Sequence, residues 1–519
     1  MFSSGAKKVE QKSVGSKIFK GTLIIVLMGV LAKLAAFIEE AVLAAYLGTT
    51  SQSDAYYMVW SVHAVVYPMM SIGIWNVFLP LYKSYISKKD IDKACALTNK
   101  SISFFTLIST VVVFLLIAFA PIIVSIVAPG FKDTTRRLCI TLVRISAPMY
   151  VFIIASSVYA SILQCHNKFL GSQIREVASH IPTIISAVFF YKNYGIETMA
   201  IALVFAGILR LLVELPFVDW GYRHKPDFKF NEYEFVVMLK RLPSALVSAG
   251  VTQLNALVDK AMASVLSTGT ISGLNYGHKL MNVFSGLLSS AIATALYPQM
   301  IELIALEKKD ELGKLFLKIL NLFCMLMFPA TFACVLFRTE LVSAVFERGA
   351  FDSASTTLTS NIFAFYSLGL FFIACNTVIG NVFYGYGNTK TPMYISLANL
   401  GINVGINLML IKRWGANGLA LATSLSAIIT FFIRMKVVGK YLRFDNKELI
   451  VTITKVVVAS ILACFIPRVT FWFFPVNKYL ILITSATIGS IIYISTVKIL
   501  KVQEMYDLID LIKQKVKKV

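Results

Sequence analysis

The chain has 519 residues, 57% of them apolar and only 15% charged, with a formal net charge of +22. Soluble domains carry about 25% charged residues, so this composition excludes an ordinary soluble enzyme and points to an integral membrane protein. Seven cysteines without a CxxC pair and five scattered histidines give no reason to expect a disulfide framework or a zinc site.

The N-terminal segment 1–20 is basic, and the apolar run after it is too long for a signal-peptide core, so we read it as a retained first helix. Fourteen apolar runs of membrane length follow, at roughly 21–47, 55–80, 101–128, 138–163, 170–191, 197–218, 242–266, 272–299, 315–337, 358–384, 392–411, 417–437, 450–474 and 479–497. Outer-membrane barrel strands are about ten residues long and alternate in hydropathy, so these continuous runs predict an all-α integral membrane protein. The first run organises the rest. It carries Lys33, Glu39 and Glu40, and a charge at bilayer depth costs at least ~2.5 kcal/mol unless it faces protein or water. Lys33 and Glu40 are seven residues apart, which places them on one helical face with Phe37 between them.

With the N-terminus in the cytoplasm, 34 of the 49 lysines and arginines fall in cytoplasmic segments and only 10 in outer loops. This bias predicts that both termini are cytoplasmic. It also accounts for the net charge through anionic headgroups, without nucleic acid. The chain repeats internally. Residues 47–57 match 266–276, Pro80 matches Pro298, Val124-Ser125 matches Val342-Ser343, Asn167 matches Asn388, and Gly195 matches Gly415, all at offsets of 218–221. The expected organisation is a basic segment 1–20, an N-lobe 21–220 of six spans, a cytoplasmic linker 221–241, and a C-lobe 242–440 of six spans. Two added helices at 441–500 and a basic tail 501–519 complete it. Six spans per repeat put both lobes the same way up, with a central cavity between them.

Charges inside the spans include Lys33, Glu39, Glu40, Asp54, Arg144, Arg210, Glu214, Asp259, Lys260, His278 and Lys279. Such residues either pair internally to hold helices in register or line a substrate path. Arg210 and Glu214, at i and i+4, are expected to form such a pair. Lys33 and Lys279 lie in repeat-equivalent helix pairs and suit an anionic substrate such as a pyrophosphate, to which lysine offers a point charge. A second constellation is Asp259 with Asn399, Asn403, Asn407 and Thr423. It reads either as interhelical hydrogen bonding or as an oxygen-lined cation site suited to Na+. The sequence contains no phosphate-binding glycine loop, nucleophile elbow or metal-ligand pair at helical spacing, so no enzyme is expected.

These features resemble the multidrug/oligosaccharidyl-lipid/polysaccharide (MOP) exporter superfamily and, within it, the MurJ (MviN) group of lipid II flippases. The stretches that carry the resemblance are LGTTSQSDAYY (47–57), VAPGF (127–131), LNYGHKLMNVFSGLLSSAIATALYP (274–298), VFERGAFD (345–352), YGYGNTKTP (384–392) and GLALATSLSA (418–427). The resemblance implies export of an undecaprenyl-pyrophosphate-linked sugar, lipid II for peptidoglycan synthesis, across the bacterial cytoplasmic (inner) membrane by alternating access. It places two of the family's cavity arginines on Lys33 and Lys279 and keeps an acidic residue as Asp54. Two further arginines fall on Glu39 and Pro68 and are lost, while Glu39, Glu40 and His278 join the substrate-binding candidates. The family's sodium-site pattern falls on Asp259, Asn403, Asn407 and Thr423. Na+ or the membrane potential is the implied coupling source, helices 13 and 14 would shape a groove for the lipid tail, and membrane lipids and cell-wall synthesis enzymes are the implied partners. The lost arginines leave room for another lipid-linked polysaccharide unit. A cation-coupled multidrug exporter would favour acidic cavity residues and twelve spans, and a non-transporting scaffold would not need Lys33 in mid-membrane.

Overall fold

A computed structural model describes residues 2–218, 222, 224–231, 235–236, 239, 253–473 and 477–506. Part of the linker 221–241, the first half of the seventh apolar run and the tail beyond 506 lie outside the described residues. The described residues form helices and connecting turns, with no strand among them. Backbone polar groups in hydrocarbon must be satisfied within the segment, which apolar runs of this length achieve only as helix.

The chain divides into two compact units, Met1–Val265 and Leu266–Val519. In the first unit, α1 (Phe2–Leu47), α2 (Ser51–Ser87) and α3 (Ile91–Val127) are long helices. The fourth run is a bent pair, α4 (Asp133–Ser146) and α5 (Met149–Cys165), at 43°. Pro148 lies at the bend and cannot donate the backbone hydrogen bond that would continue the helix. The fifth run breaks repeatedly, into α6 (Phe169–Ala178), α7 (Ile181–Ile185), a π turn (Ser186–Phe190) and α8 (Tyr191–Tyr194). Helix α9 (Glu197–Leu212) follows, and residues 253–263 form α10. Within this unit α2 packs on α3, α4 and α5, α9 packs on α4, α5, α6 and α7, and α1 packs on α6, α7 and the π turn.

The second unit holds α11 (Thr270–Ala305), α12 (Lys309–Leu336), α13 (Arg338–Phe346), the bent pair α14 (Ser353–Ser367) and α15 (Leu370–Gly385) at 46°, α16 (Lys390–Val438), α17 (Asn446–Phe473) and α18 (Lys478–Ile499). Helix α16 is two helices joined at Gly415, whose φ of 52° and ψ of −129° lie outside helical geometry. The limbs are tied to each other by the Thr430 hydroxyl, which donates to Asn399 Oδ1 at 2.7 Å. Gly418 also lies so near Leu410 that a Cβ there would come within 2.8 Å of its carbonyl oxygen. The expected runs 392–411 and 417–437 are therefore two helical limbs that meet at a sharp turn at Gly415. The unit's core is a stack of Leu312, Phe316, Leu320 and Phe323 from α12 against Phe371, Val378 and Phe383 from α15, closed by Phe431. Helices α17 and α18 join it through Val456, Ala459 and Val497 against Met325.

The internal repeat is written in the backbone as well as in the residues. Left-handed positions recur as Gly48 and Gly269, Lys89 and Glu307, Asn167 and Gly387, and Gly195 and Gly415. These pairs keep the offset of the sequence matches, and the bent pairs α4–α5 and α14–α15 repeat with them. Six described helices are long and apolar enough to cross a membrane, or eight if each bent pair is one span.

Candidate functional site

The side chains of α1 divide sharply in environment. Lys33 is exposed and makes no ion pair among the described residues, in company with exposed Leu23, Leu27, Val30, Leu34 and Ile38. Nearly two turns beyond Lys33, Glu39 and Glu40 are buried. Glu39 pairs with Nδ1 of His180, in the turn between α6 and α7. Glu40 accepts a hydrogen bond from the Tyr57 hydroxyl of α2 at 2.9 Å. Asp54 is also buried, in the first turn of α2, where a carboxylate favours the helix N-terminus. Thr50 caps that helix, accepting from the Ser53 amide at 3.2 Å. The shared helical face of Lys33 and Glu40 is thus open at one end and covered by α2 and the α6–α7 turn at the other.

The expected Arg210–Glu214 pair does not form. Helix α9 ends at Leu212, so Glu214 leaves the helical path on which i,i+4 neighbours meet. Arg210 instead pairs with Glu176 of α6 and donates to the Tyr67 hydroxyl at 2.9 Å. Glu214, fully buried, lies 3.5 Å from Arg175. The four charges sum to zero and join α6 to α9. A third polar cluster is built on His63 of α2, whose Nδ1 and Nε2 each lie 2.8 Å from a hydroxyl, Tyr150 and Ser146 respectively. Ser146 in turn donates to the Leu142 carbonyl at 2.7 Å. His63 therefore staples α2 across the α4–α5 bend. His63, Arg175, Glu176 and His180 were not singled out by sequence, although a histidine within an apolar run was a usable signal.

In the second unit, Lys279 and His278 are exposed on α11. His278 lies 3.2 Å from Asn282 Nδ2 and meets the Tyr366 ring edge-on. Asn403 and Asn407 are wholly buried, and Asn407 Nδ2 donates to Asn403 Oδ1 at 2.9 Å. Thr423 donates to the Leu419 carbonyl at 3.2 Å. Asp259 is buried on α10, within the first unit. Within the second unit the amide and hydroxyl oxygens of Asn403, Asn407 and Thr423 are hard donors of the kind that suit Na+, and Asn403 Oδ1 keeps a second lone pair beside the bond it accepts from Asn407. Among the described residues no group of three or more His, Cys, Asp or Glu is placed to hold a metal ion. The Asn399–Thr430 bond between the limbs of α16 is the interhelical use of the asparagine stripe.

The fold is similar to that of a solved structure of the lipid II flippase MurJ in an inward closed conformation, with a TM-score of 0.80, 24% identity, and 94% of this chain and 100% of that one covered. It is also similar to an inward-facing multidrug resistance MATE family transporter of the MOP superfamily, with a TM-score of 0.60, 12% identity, and 81% and 98% covered. In sequence the chain is 27% identical to the "Probable lipid II flippase MurJ" of Rickettsia prowazekii, over 79% of this chain and 82% of that protein. It is 24% identical to the protein of the same name from Thermotoga maritima, over 94% and 98%. The family model described as "Lipid II flippase MurJ" matches residues 43–489, from the C-terminal end of α1 into α18, and the chain belongs to that family.

Proposed function

We propose that this chain is a lipid II flippase of the bacterial cytoplasmic membrane. It carries the undecaprenyl-pyrophosphate-linked precursor from the cytoplasmic to the outer leaflet by alternating access. The observation that carries this reading is the family match over 43–489, with the membrane-length helices of both units beneath it. A flippase leaves its substrate chemically unchanged, so its residues bind and gate rather than catalyse.

Lys33 and Lys279 hold the pyrophosphate. In support, both ammonium groups are exposed on long helices whose remaining residues are mostly apolar, where a charge persists only beside water or a counter-charge. Glu40, His278 and Asp54 complete the polar lining, and Asp54 takes part in gating. Asp259, Asn403, Asn407 and Thr423 hold a coupling Na+. The lipid tail lies against α17 and α18, whose exposed Ile450, Val458, Ile461, Ile483 and Ile491 offer an apolar face. Fourteen spans, lobes at 21–220 and 242–440, cytoplasmic termini and contact with cell-wall synthesis enzymes complete the reading.

One observation favours a second reading. Where the family places a cavity arginine, this chain has Glu39, buried and paired with His180. That change suits another polyprenyl-pyrophosphate-linked glycan. Expression in a bacterium depleted of its own lipid II flippase separates the two. Rescue of growth is expected for lipid II; good membrane expression without rescue would move the substrate to a different glycan.

A further inference from the structure

Apart from the Tyr57–Glu40 bond to α2 near its end, helix α1 is held to its unit along one seam. It packs on α6, α7 and the π turn, while Leu23, Val26, Leu27, Val30, Leu34 and Ile38 on its other side are exposed. The seam has three rungs. At one end Gly21 lies against the Phe169 ring, so close that a Cβ would come within 2.5 Å of it. At the other end the Lys192 ammonium of α8 lies 5.8 Å from the centre of the Tyr46 ring. Between them, Glu39 meets His180. The first two rungs are a packing contact and an exposed cation–π contact. The middle rung is the seam's ion pair among the described residues, and its cationic member is a histidine, which is charged only when protonated.

The site of this rung is also the least regular part of the unit. His180 lies in the turn between α6 and α7, Pro182 follows it, and the π turn begins at Ser186. Pi turns and proline breaks mark places where a helix changes path at low cost. A helix gripped along one seam, through a protonatable rung, onto a broken span is built to let go.

We propose that His180 is a positioning residue for transport: protonated, it clasps Glu39 and holds α1, and with it Lys33, against α6 and α7; deprotonated, it releases them. The other charged and titratable groups around the pair are already committed or distant. On α1, Glu40 is bonded to Tyr57 of α2, and Lys33 lies nearly two turns away. On α6, Arg175 and Glu176 are engaged with Glu214 and Arg210 beyond the end of α9 and on it. Lys192 on α8 lies over Tyr46. The histidine is therefore the cation of the seam whose charge depends on its carrying a second proton. The link to transport rests on the role of Lys33 proposed above; the clasp itself does not.

The test is a distance measurement on the full chain in lipid nanodiscs. Spin labels go on Leu34→Cys of α1 and Phe189→Cys of the π turn, both exposed, with the half-buried Cys95 and Cys165 replaced by serine. In the wild-type background a single short distance is expected at acidic pH. A longer population should appear as pH rises, its ratio to the short one growing up to about tenfold per pH unit through the titration. His180→Arg, whose guanidinium stays charged at any accessible pH, should hold the short distance throughout. Glu39→Gln, isosteric and uncharged, should give a distribution that does not change with pH. No pH response in the wild type, or an unaltered response in Glu39→Gln or His180→Arg, would overturn the proposal. Distances behaving as described while His180→Arg flips lipid II at the wild-type rate would instead keep the clasp and count against its link to transport through Lys33.

Discussion

Replacing Arg175 with methionine removes the cation nearest to Glu214, whose carboxylate is fully buried. The formal charge of the Arg175–Glu176–Arg210–Glu214 cluster then changes from zero to −1 around a fully buried carboxyl. Stripping one partner from a buried pair costs ~3–5 kcal/mol, most of it the uncompensated charge left behind. Here the separation is 3.5 Å, and neither carboxylate oxygen of Glu214 has a hydrogen bond among the described residues. The direct attraction is therefore below its best, and the lower end, about 3 kcal/mol, is expected. Glu176, more than a third exposed, adds little when its neighbour is lost. The assay is reversible unfolding of the chain in mixed micelles, followed by tryptophan fluorescence. Glu214→Gln in the Arg175→Met background restores neutrality and should recover at least half of the loss. If Arg175→Met costs less than about 1 kcal/mol, or if Glu214→Gln fails to rescue it, the cluster is not the charge-balanced staple described.

Further outcomes can be checked the same way. His63→Phe removes both ring nitrogens and leaves the buried Tyr150 hydroxyl without its partner, at a cost of ~1–3 kcal/mol, and should raise protease sensitivity at the α4–α5 bend. Gly21→Leu drives a side chain into Phe169 and should loosen α1 selectively, read as faster amide exchange over 21–47 than over α2. Asp352 caps α14 by accepting from the Ser355 amide at 2.8 Å, a bond that holds its carboxyl below the usual carboxylate range. Its stabilisation is present at neutral pH and is lost as pH falls through the depressed value. Asp352→Ala should cost ~1 kcal/mol at neutral pH and little in strong acid, measured as parallel unfolding curves.

Much of this fold was legible in the sequence because its signals are local. A continuous apolar run must be helix in a bilayer, and the repeat offset that aligned residues 47–57 with 266–276 reappears in left-handed turns at Lys89 and Glu307. Pro148 was equally visible, but whether a proline bends a helix or is absorbed by its neighbours depends on what packs around it. The pairing of charges was not legible. Glu39 and His180 are 141 residues apart, and no spacing rule joins them. The Arg210–Glu214 spacing points to a helix contact, but α9 ends at Leu212, and two residues past a helix end are enough to redirect a carboxylate. The exposure of Lys33 and the burial of Glu39 on the same helix likewise depend on which neighbours cover α1.

The central claim, that Lys33 and Lys279 hold the pyrophosphate of a lipid II carried across the membrane, is tested most directly in proteoliposomes. The purified chain is reconstituted with fluorescent lipid II, and translocation is read from the fraction reduced by an impermeant quencher over time. The account predicts translocation by the wild-type chain and its loss in Lys33→Ala and Lys279→Ala, with unfolding midpoints unchanged in both. Translocation at the wild-type rate by the double variant would contradict it.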